Sequence, residues 1–116
     1  MFDYYTPVII ANNDFLKDQP DVAKAFLRAT KKGFEYAEQN ADDAAQILVD
    51  AAPEVDPALA KMSQEFLAGQ YTAEASSWGV IDSDRWSKFY AWMNENGLTP
   101  VKLDEAAGFT MDYLEA

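Results

Sequence analysis

The sequence predicts a mainly α-helical chain, with four or five helices and a single strand near the N-terminus. Apolar side chains recur every three or four residues through most of the chain, which is the spacing of one helix face. Residues 4–11 differ, because the β-branched Val8, Ile9 and Ile10 follow two tyrosines and a proline in one continuous apolar run. Such a run is typical of a strand covered on both faces. The rest of the sequence offers this predicted strand no partner.

The elements after the strand are predicted from cap residues and from the apolar spacing. Asn12 begins a short helical turn, and Pro20 begins a long helix that runs to about residue 39. Its predicted inner stripe is Val22, Phe26, Ala29 or Thr30, Phe34 and Ala37. Gly33 inside this helix predicts close packing against a neighbour, since glycine otherwise weakens a helix.

Three further helix starts and the start of one short turn follow along the chain. Asn40 is predicted to cap a second helix, which Pro53 ends, and Asp56 followed by proline begins a third helix, which ends near residue 70. Residues 71–79 lack the apolar spacing of a helix. Asp82 caps a helix closed by Gly97, and Thr110 caps a last short turn.

Size and charge restrict the class of protein. With 116 residues and 49% hydrophobic residues the chain is the size of one domain and is expected to bury roughly two-thirds of its unfolded surface. Nine basic against 20 acidic side chains give a net charge of -11. Neither nucleic acid nor an anionic membrane surface suits that charge. The first residues lack the basic and apolar regions of a signal peptide, so we predict none within this chain.

Catalytic chemistry is not predicted. The chain contains no histidine and no cysteine, which removes the commonest general base, metal ligands and thiol nucleophile. The acidic run that starts at Asp82 lacks the later residues of a calcium loop, so helix capping explains it. We therefore predict no enzyme, no metal site and no cofactor.

Aromatic residues outside the helical stripes are the candidates for ligand binding. Trp86, Phe89 and Tyr90 lie on one helical stripe, where core packing is expected. Tyr4, Tyr5 and Trp78 lie in or beside non-helical segments, where an aromatic ring is able to form a wall of a ligand cleft.

Three stretches resemble a known family: YYTPVIIANNDFLKDQPDVAKAFLRATKKGFEYAEQNADDAAQIL, WGVIDSDRWSKFYAWMNENGL and the ending GFTMDYL. They resemble the C-terminal part of substrate-binding proteins of ABC importers in the thiamine-precursor group, which bind hydroxymethylpyrimidine or formylaminopyrimidine. The first stretch also resembles binding proteins for nitrate, taurine and alkanesulfonates, so it points to the fold more than to the ligand.

The resemblance implies a two-lobed α/β fold of the periplasmic-binding-protein type II class, with the ligand held between the lobes. Residues 1–116 would form a single partial domain. Residues 4–11 would be the hinge-crossing strand, and residues 12–116 would be the helical part of the first lobe. The parent protein would be a periplasmic or extracellular lipoprotein that delivers its ligand to an ABC permease. Tyr4, Tyr5 and Thr6 would face the cleft at the hinge.

Two other function classes stay open on the sequence. The amphipathic helices also suit an autonomous helical interaction module that binds no ligand, and a carboxylate-based enzyme is the third class. For the chain on its own, the unpaired strand predicts a homodimer through residues 4–11, because an apolar strand edge is a template for association.

Overall fold

The computed structural model describes residues 3–115, and among these it forms five α-helices joined by turns and extended segments. The mainly helical class predicted from the sequence is confirmed. The helices, in chain order, are α1 (Asn13–Asp18), α2 (Pro20–Gln39), α3 (Ala41–Ala51), α4 (Pro57–Ala68) and α5 (Ser83–Glu95).

Side-chain caps begin three of these helices where the sequence predicts them. The Asn12 side chain accepts the backbone N–H of Asp14 at 2.7 Å, and Asp56 accepts that of Leu59 at 2.8 Å. Asp82 accepts the N–H of Arg85 at 2.8 Å. Each cap satisfies a donor that the first turn of a helix leaves without a partner. The side-chain cap predicted at Asn40 is not formed, because the Asn40 amide donates to the carbonyl of Tyr36 at 3.0 Å instead.

The predicted strand over residues 4–11 is absent. These residues form an extended, non-helical segment, and residues 3–115 contain no strand with which it could pair. A strand is stabilised by hydrogen bonds to a neighbouring strand, and without that neighbour only the extended backbone remains. The apolar side chains of the segment consequently stay in solvent, and Ile10 is 88% exposed.

Among the described residues, helices α2, α3 and α4 form the one packed helical unit, with α1 against α2. The residues buried in it are small, namely Ala23, Ala45, Ala60 and Ala68. Alanines permit close approach of helix backbones, but each contributes little apolar area. The described residues contain no large side chain that is fully buried.

Helix α5 does not pack against the other described helices. Polar and aromatic contacts from non-helical segments hold it instead. Its neighbours are the N-terminal segment and residues 103–109, which are described with the candidate site below.

The C-terminal segment returns to α2 and to the loop before α5. Arg28 of α2 forms an ion pair with Glu115, and this hydrogen-bonded pairing lowers the pKa of the Glu115 carboxyl. Thr110 begins a turn, as predicted, by accepting the N–H of Asp112 at 3.2 Å. The backbone N–H of Ile81 donates to the Met111 sulfur at 3.5 Å, which places the segment beside the loop before α5.

The chain exposes far more surface than a folded monomer of its mass. Its accessible surface is 8636 Å², whereas a monomer of 13.0 kDa is expected to expose about 6,300 Å². The radius of gyration is 17.1 Å, against about 13 Å for a compact domain of this length. The excess of about 2,300 Å² exceeds the roughly 800 Å² that one partner buries in an ordinary protein interface.

Apolar stripes on α2 and α4 account for part of this surface. On α2, Val22 and Phe26 are exposed although the sequence predicts them on the inner face, and the buried side of the helix is the one that carries Ala23. On α4, Leu59, Met62 and Phe66 follow helical spacing, and Phe66 is 71% exposed. No described helix is long and apolar enough to cross a membrane.

The packing predicted at Gly33 is not found. A Cβ at this position would meet no other atom within 4 Å, because Gly33 lies on the same exposed face of α2 as Val22 and Phe26. The neighbour that the glycine was expected to contact is not among the described residues.

Replacing Gly33 with alanine is therefore expected to stabilise the isolated chain by about 1 kcal/mol, the difference between the two residues in a helix interior. Urea denaturation followed by circular dichroism measures the change. Gly69→Ala is the matched control, since a Cβ there also meets open space but the residue caps α4 and gains less helix propensity. Destabilisation by Gly33→Ala would show that this face is covered in solution.

Candidate functional site

The candidate site is a groove between the N-terminal segment, α5 and residues 99–103. It encloses about 380 Å³ and has mainly apolar walls. We call it the aromatic groove, and its lining residues are Tyr4, Tyr5, Val8, Arg85, Trp86, Phe89, Tyr90, Met93, Thr99 and Leu103.

Both tyrosines of the N-terminal segment are docked on α5. The Tyr4 ring stacks on Phe89, with 5.3 Å between ring centroids and 18° between ring planes. The hydroxyl oxygen of Tyr5 accepts the backbone N–H of Asp82 at 2.9 Å. One wall of the groove is thus built from two parts of the chain that are almost 80 residues apart.

Helix α5 is also held by residues 103–109. Trp86 donates its indole N–H to the carbonyl of Ala107 at 2.9 Å, and its ring lies 5.3 Å from those of both Tyr90 and Phe109. Asn94 accepts the N–H of Leu103 at 2.7 Å and donates to the carbonyl of the same residue at 3.0 Å. These bonds hold α5 in place without another helix.

Gly108 allows the C-terminal segment to pass close to Tyr90. Its φ is +95°, and a Cβ would lie within 3.0 Å of carbon atoms of the Tyr90 ring. Both the backbone conformation and the space favour glycine here.

We expect Gly108→Ala to lower the free energy of unfolding by about 2–3 kcal/mol, because it combines backbone strain with a steric clash against Tyr90. The control is Gly97→Ala, which also has positive φ but open space around its Cβ. Only the strain, about 1 kcal/mol, applies at Gly97. If urea denaturation shows that both variants lose the same free energy of unfolding, the close approach of Gly108 to Tyr90 would be contradicted.

Thr6 and Trp78, the other two residues singled out from the sequence, do not line the aromatic groove. Thr6 is exposed beside it. The Trp78 ring stacks on Phe34 of α2, with centroids 5.1 Å apart and 25° between ring planes. Trp78 thereby joins the loop before α5 to α2.

A second, more open depression of about 520 Å³ lies along the end of α5 and residues 99–105. Its lining includes Asn94, Glu95 and Lys102 but no aromatic ring. Among residues 3–115, no group of three or more acidic side chains converges as a metal site would require. The aromatic groove is the better candidate, because planar rings provide contact area for a small organic ligand.

Sequence reasoning missed two contributors to the groove. Trp86, Phe89 and Tyr90 of α5 were predicted to pack in a core, whereas they line the groove because no described helix covers α5. Arg85 was not considered. A signal for it existed, since a cation in the first turn of a helix is at the unfavourable end of the helix dipole and calls for an anionic partner.

Comparison with known proteins supports the predicted family. A family model described as NMT1/THI5 like matches residues 1–44. Over 96 residues, or 79% of the chain, the sequence is 25% identical to the formylaminopyrimidine-binding protein of Halalkalibacterium halodurans. These matches confirm the resemblance to the thiamine-precursor binding group.

The chain corresponds to a small part of that relative. The matched region is 29% of the relative's length, and the NMT1/THI5-like match includes both tyrosines of the aromatic groove.

Proposed function

We propose that this chain supplies one wall of the ligand cleft in a longer solute-binding protein, which captures a thiamine pyrimidine precursor or a similar small molecule for an ABC importer. The aromatic groove carries this proposal. It brings Tyr4 and Tyr5 together with three aromatic side chains of α5. The printed name of the relative, a formylaminopyrimidine-binding protein, supports a pyrimidine as the ligand class.

The chemistry of the groove suits a flat, uncharged ring. Aromatic side chains provide apolar contact, and the lining residues Tyr4, Tyr5 and Tyr90 carry hydroxyl groups that are able to form hydrogen bonds. Thr6 follows directly along the segment, and we propose that its hydroxyl hydrogen-bonds the ligand from the open side of the groove. Trp78 is assigned to packing against Phe34 instead.

The second wall would come from polypeptide outside this chain. The excess surface of about 2,300 Å² and the 29% coverage of the relative both support a larger folded unit. In that unit residues 4–11 would pair as the hinge-crossing strand and residues 12–116 would complete the first lobe. Closure of the lobes on the ligand, docking on an ABC permease and a periplasmic or extracellular lipoprotein location follow from the same proposal.

Titration of the longer protein with hydroxymethylpyrimidine tests the role of the groove. Tyr5→Ala is expected to weaken binding at least tenfold, since about 1.4 kcal/mol of ring contact corresponds to that factor. Trp78→Phe, which keeps an aromatic ring against Phe34, should stay within twofold. A larger loss from Trp78→Phe than from Tyr5→Ala would place the ligand elsewhere.

For the chain alone, we propose that residues 4–11 pair with those of a second copy to form a homodimer. The exposed Val8, Ile9 and Ile10 favour this association. Analytical ultracentrifugation should show Ile9→Lys shifting the dimer to monomer. The equally exposed Ile47 on α3 is the control, and if Ile47→Lys disrupts the dimer and Ile9→Lys does not, the interface is on the helices.

The exposed stripes on α2 and α4 favour a second candidate, an autonomous helical interaction module without ligand binding. Such a module is expected to unfold in one sharp two-state transition as a monomer at every concentration tested. A transition that broadens or moves with protein concentration would count against it.

A further inference from the structure

One arginine contacts three consecutive residues of the N-terminal segment. The Arg85 guanidinium forms an ion pair with Asp3 and donates to the carbonyl oxygen of Tyr4 at 3.3 Å. Its central carbon lies 4.2 Å from the centroid of the Tyr5 ring, in a cation–π arrangement. The same side chain thus binds the segment through charge, backbone and ring.

The position of Arg85 is costly for the helix that carries it. Arg85 is in the first turn of α5, where the helix dipole disfavours a cation. Its Nε is shielded from solvent and has no hydrogen-bond acceptor among the described residues, which is also unfavourable. Helix formation and solvation therefore do not explain an arginine here, whereas the three contacts to residues 3–5 do.

Among the described residues no strand pairs with the extended segment, so in the isolated chain its position depends on attachments of this kind. Ordering each residue costs backbone entropy. The Tyr4 stack on Phe89 and the Tyr5 hydroxyl bond to Asp82 both attach the segment through its side chains. Arg85 differs, since it also reaches a backbone carbonyl and the carboxylate of Asp3.

We propose that Arg85 is a positioning residue that fixes residues 3–5 on α5 and thereby sets the two tyrosine rings of the aromatic groove. Its relevance to ligand binding rests on the proposed function. The docking of the segment does not, and it is testable in the chain without any ligand.

The experiment compares Arg85→Gln with Lys88→Gln by nuclear magnetic resonance on the whole chain. Lys88 is an exposed cation on the same helix, so its variant removes one charge from α5 as well. In Arg85→Gln we expect the Tyr4–Phe89 ring cross-peaks to disappear and the amide order parameters of residues 4–6 to fall below about 0.6. Lys88→Gln should retain both signals, and helix content should be unchanged in either variant.

Arg85→Lys separates charge from the shape of the guanidinium. It keeps the ion pair with Asp3 but loses the planar contact with Tyr5, so intermediate order parameters are expected. If Arg85→Gln lowers the helix content, the test rests on Arg85→Lys, which should still lower the amide order parameters of residues 4–6. Retained ring cross-peaks and unchanged order in these Arg85 variants, or equal losses in Lys88→Gln, would overturn the proposal.

A second arm distinguishes this inference from the proposed function. In the longer protein, Arg85→Gln should weaken hydroxymethylpyrimidine binding about as much as Tyr5→Ala. If the segment detaches but the affinity for the pyrimidine stays the same, Arg85 still positions the segment and the assignment of the groove to the ligand is wrong.

Discussion

Calorimetric titration of the isolated chain with hydroxymethylpyrimidine is expected to give a Kd no tighter than about 1 mM, equivalent to about -4 kcal/mol. A binding cleft normally buries 70–90% of a small ligand, and the aromatic groove offers one wall. Ring stacking contributes about 1 kcal/mol beyond the buried area. Association costs at least about 4 kcal/mol of translational and rotational freedom, so a one-sided contact leaves little net affinity.

The comparison is the same titration on the longer protein, where a second wall should strengthen binding a thousandfold or more. Tyr5→Ala in both proteins controls for non-specific uptake by exposed apolar surface. Micromolar binding by the isolated chain would show that its site is complete, and the proposal of a second wall would be wrong.

Replacing Trp86 with alanine is expected to lower the free energy of unfolding by about 2–3 kcal/mol, below the value for a fully buried tryptophan because Trp86 is half-buried. The change removes the contacts with Tyr90 and Phe109 and the bond to the Ala107 carbonyl. Since no other described helix packs on α5, loss of these contacts should also detach the C-terminal segment from α5. Urea denaturation followed by tryptophan fluorescence of the remaining indoles measures this loss.

Trp86→Phe is the matched variant, because it keeps an aromatic ring and removes the indole donor. The loss should be about 1 kcal/mol, the usual net value of one hydrogen bond. If both variants cost the same, ring packing at Trp86 contributes nothing, and the account of how α5 is held would have to change.

Local signals in the sequence were enough to predict the helices. The asparagine or aspartate at positions 12, 56 and 82 and the prolines at the starts of α2 and α4 act within one helical turn, so their effect does not depend on distant residues. The loss of the helical apolar spacing over residues 71–79 and the glycine after α5, Gly97, are also local signals. Helix positions were therefore accessible from sequence alone.

Properties that depend on a partner were not predicted correctly. The apolar run of residues 4–11 indicates a strand, but a strand forms only beside another strand. The stripe through Val22 and Phe26 has helical spacing, yet spacing does not identify what covers it. In both cases the apolar pattern exceeds what the described residues can bury, which agrees with the excess surface.

The candidate site was predicted in part. Tyr4 and Tyr5 were chosen because they lie outside helical stripes, and they do line the groove. The same argument selected Trp78, which instead packs on Phe34. The cation in the first turn of α5 is a local signal for Arg85, but the residues that it contacts lie about 80 positions away, and no local pattern identifies them.

The indole N–H resonances of the three tryptophans offer the most direct test of the claim that the aromatic groove is a ligand wall. Among them only Trp86 lines the groove. Added to the isolated chain at tens of millimolar, well above the tightest Kd expected for it, about 1 mM, hydroxymethylpyrimidine should shift the Trp86 resonance and leave that of Trp78 in place. A shift confined to Trp78, or no shift of any indole resonance up to the solubility limit, would contradict the claim.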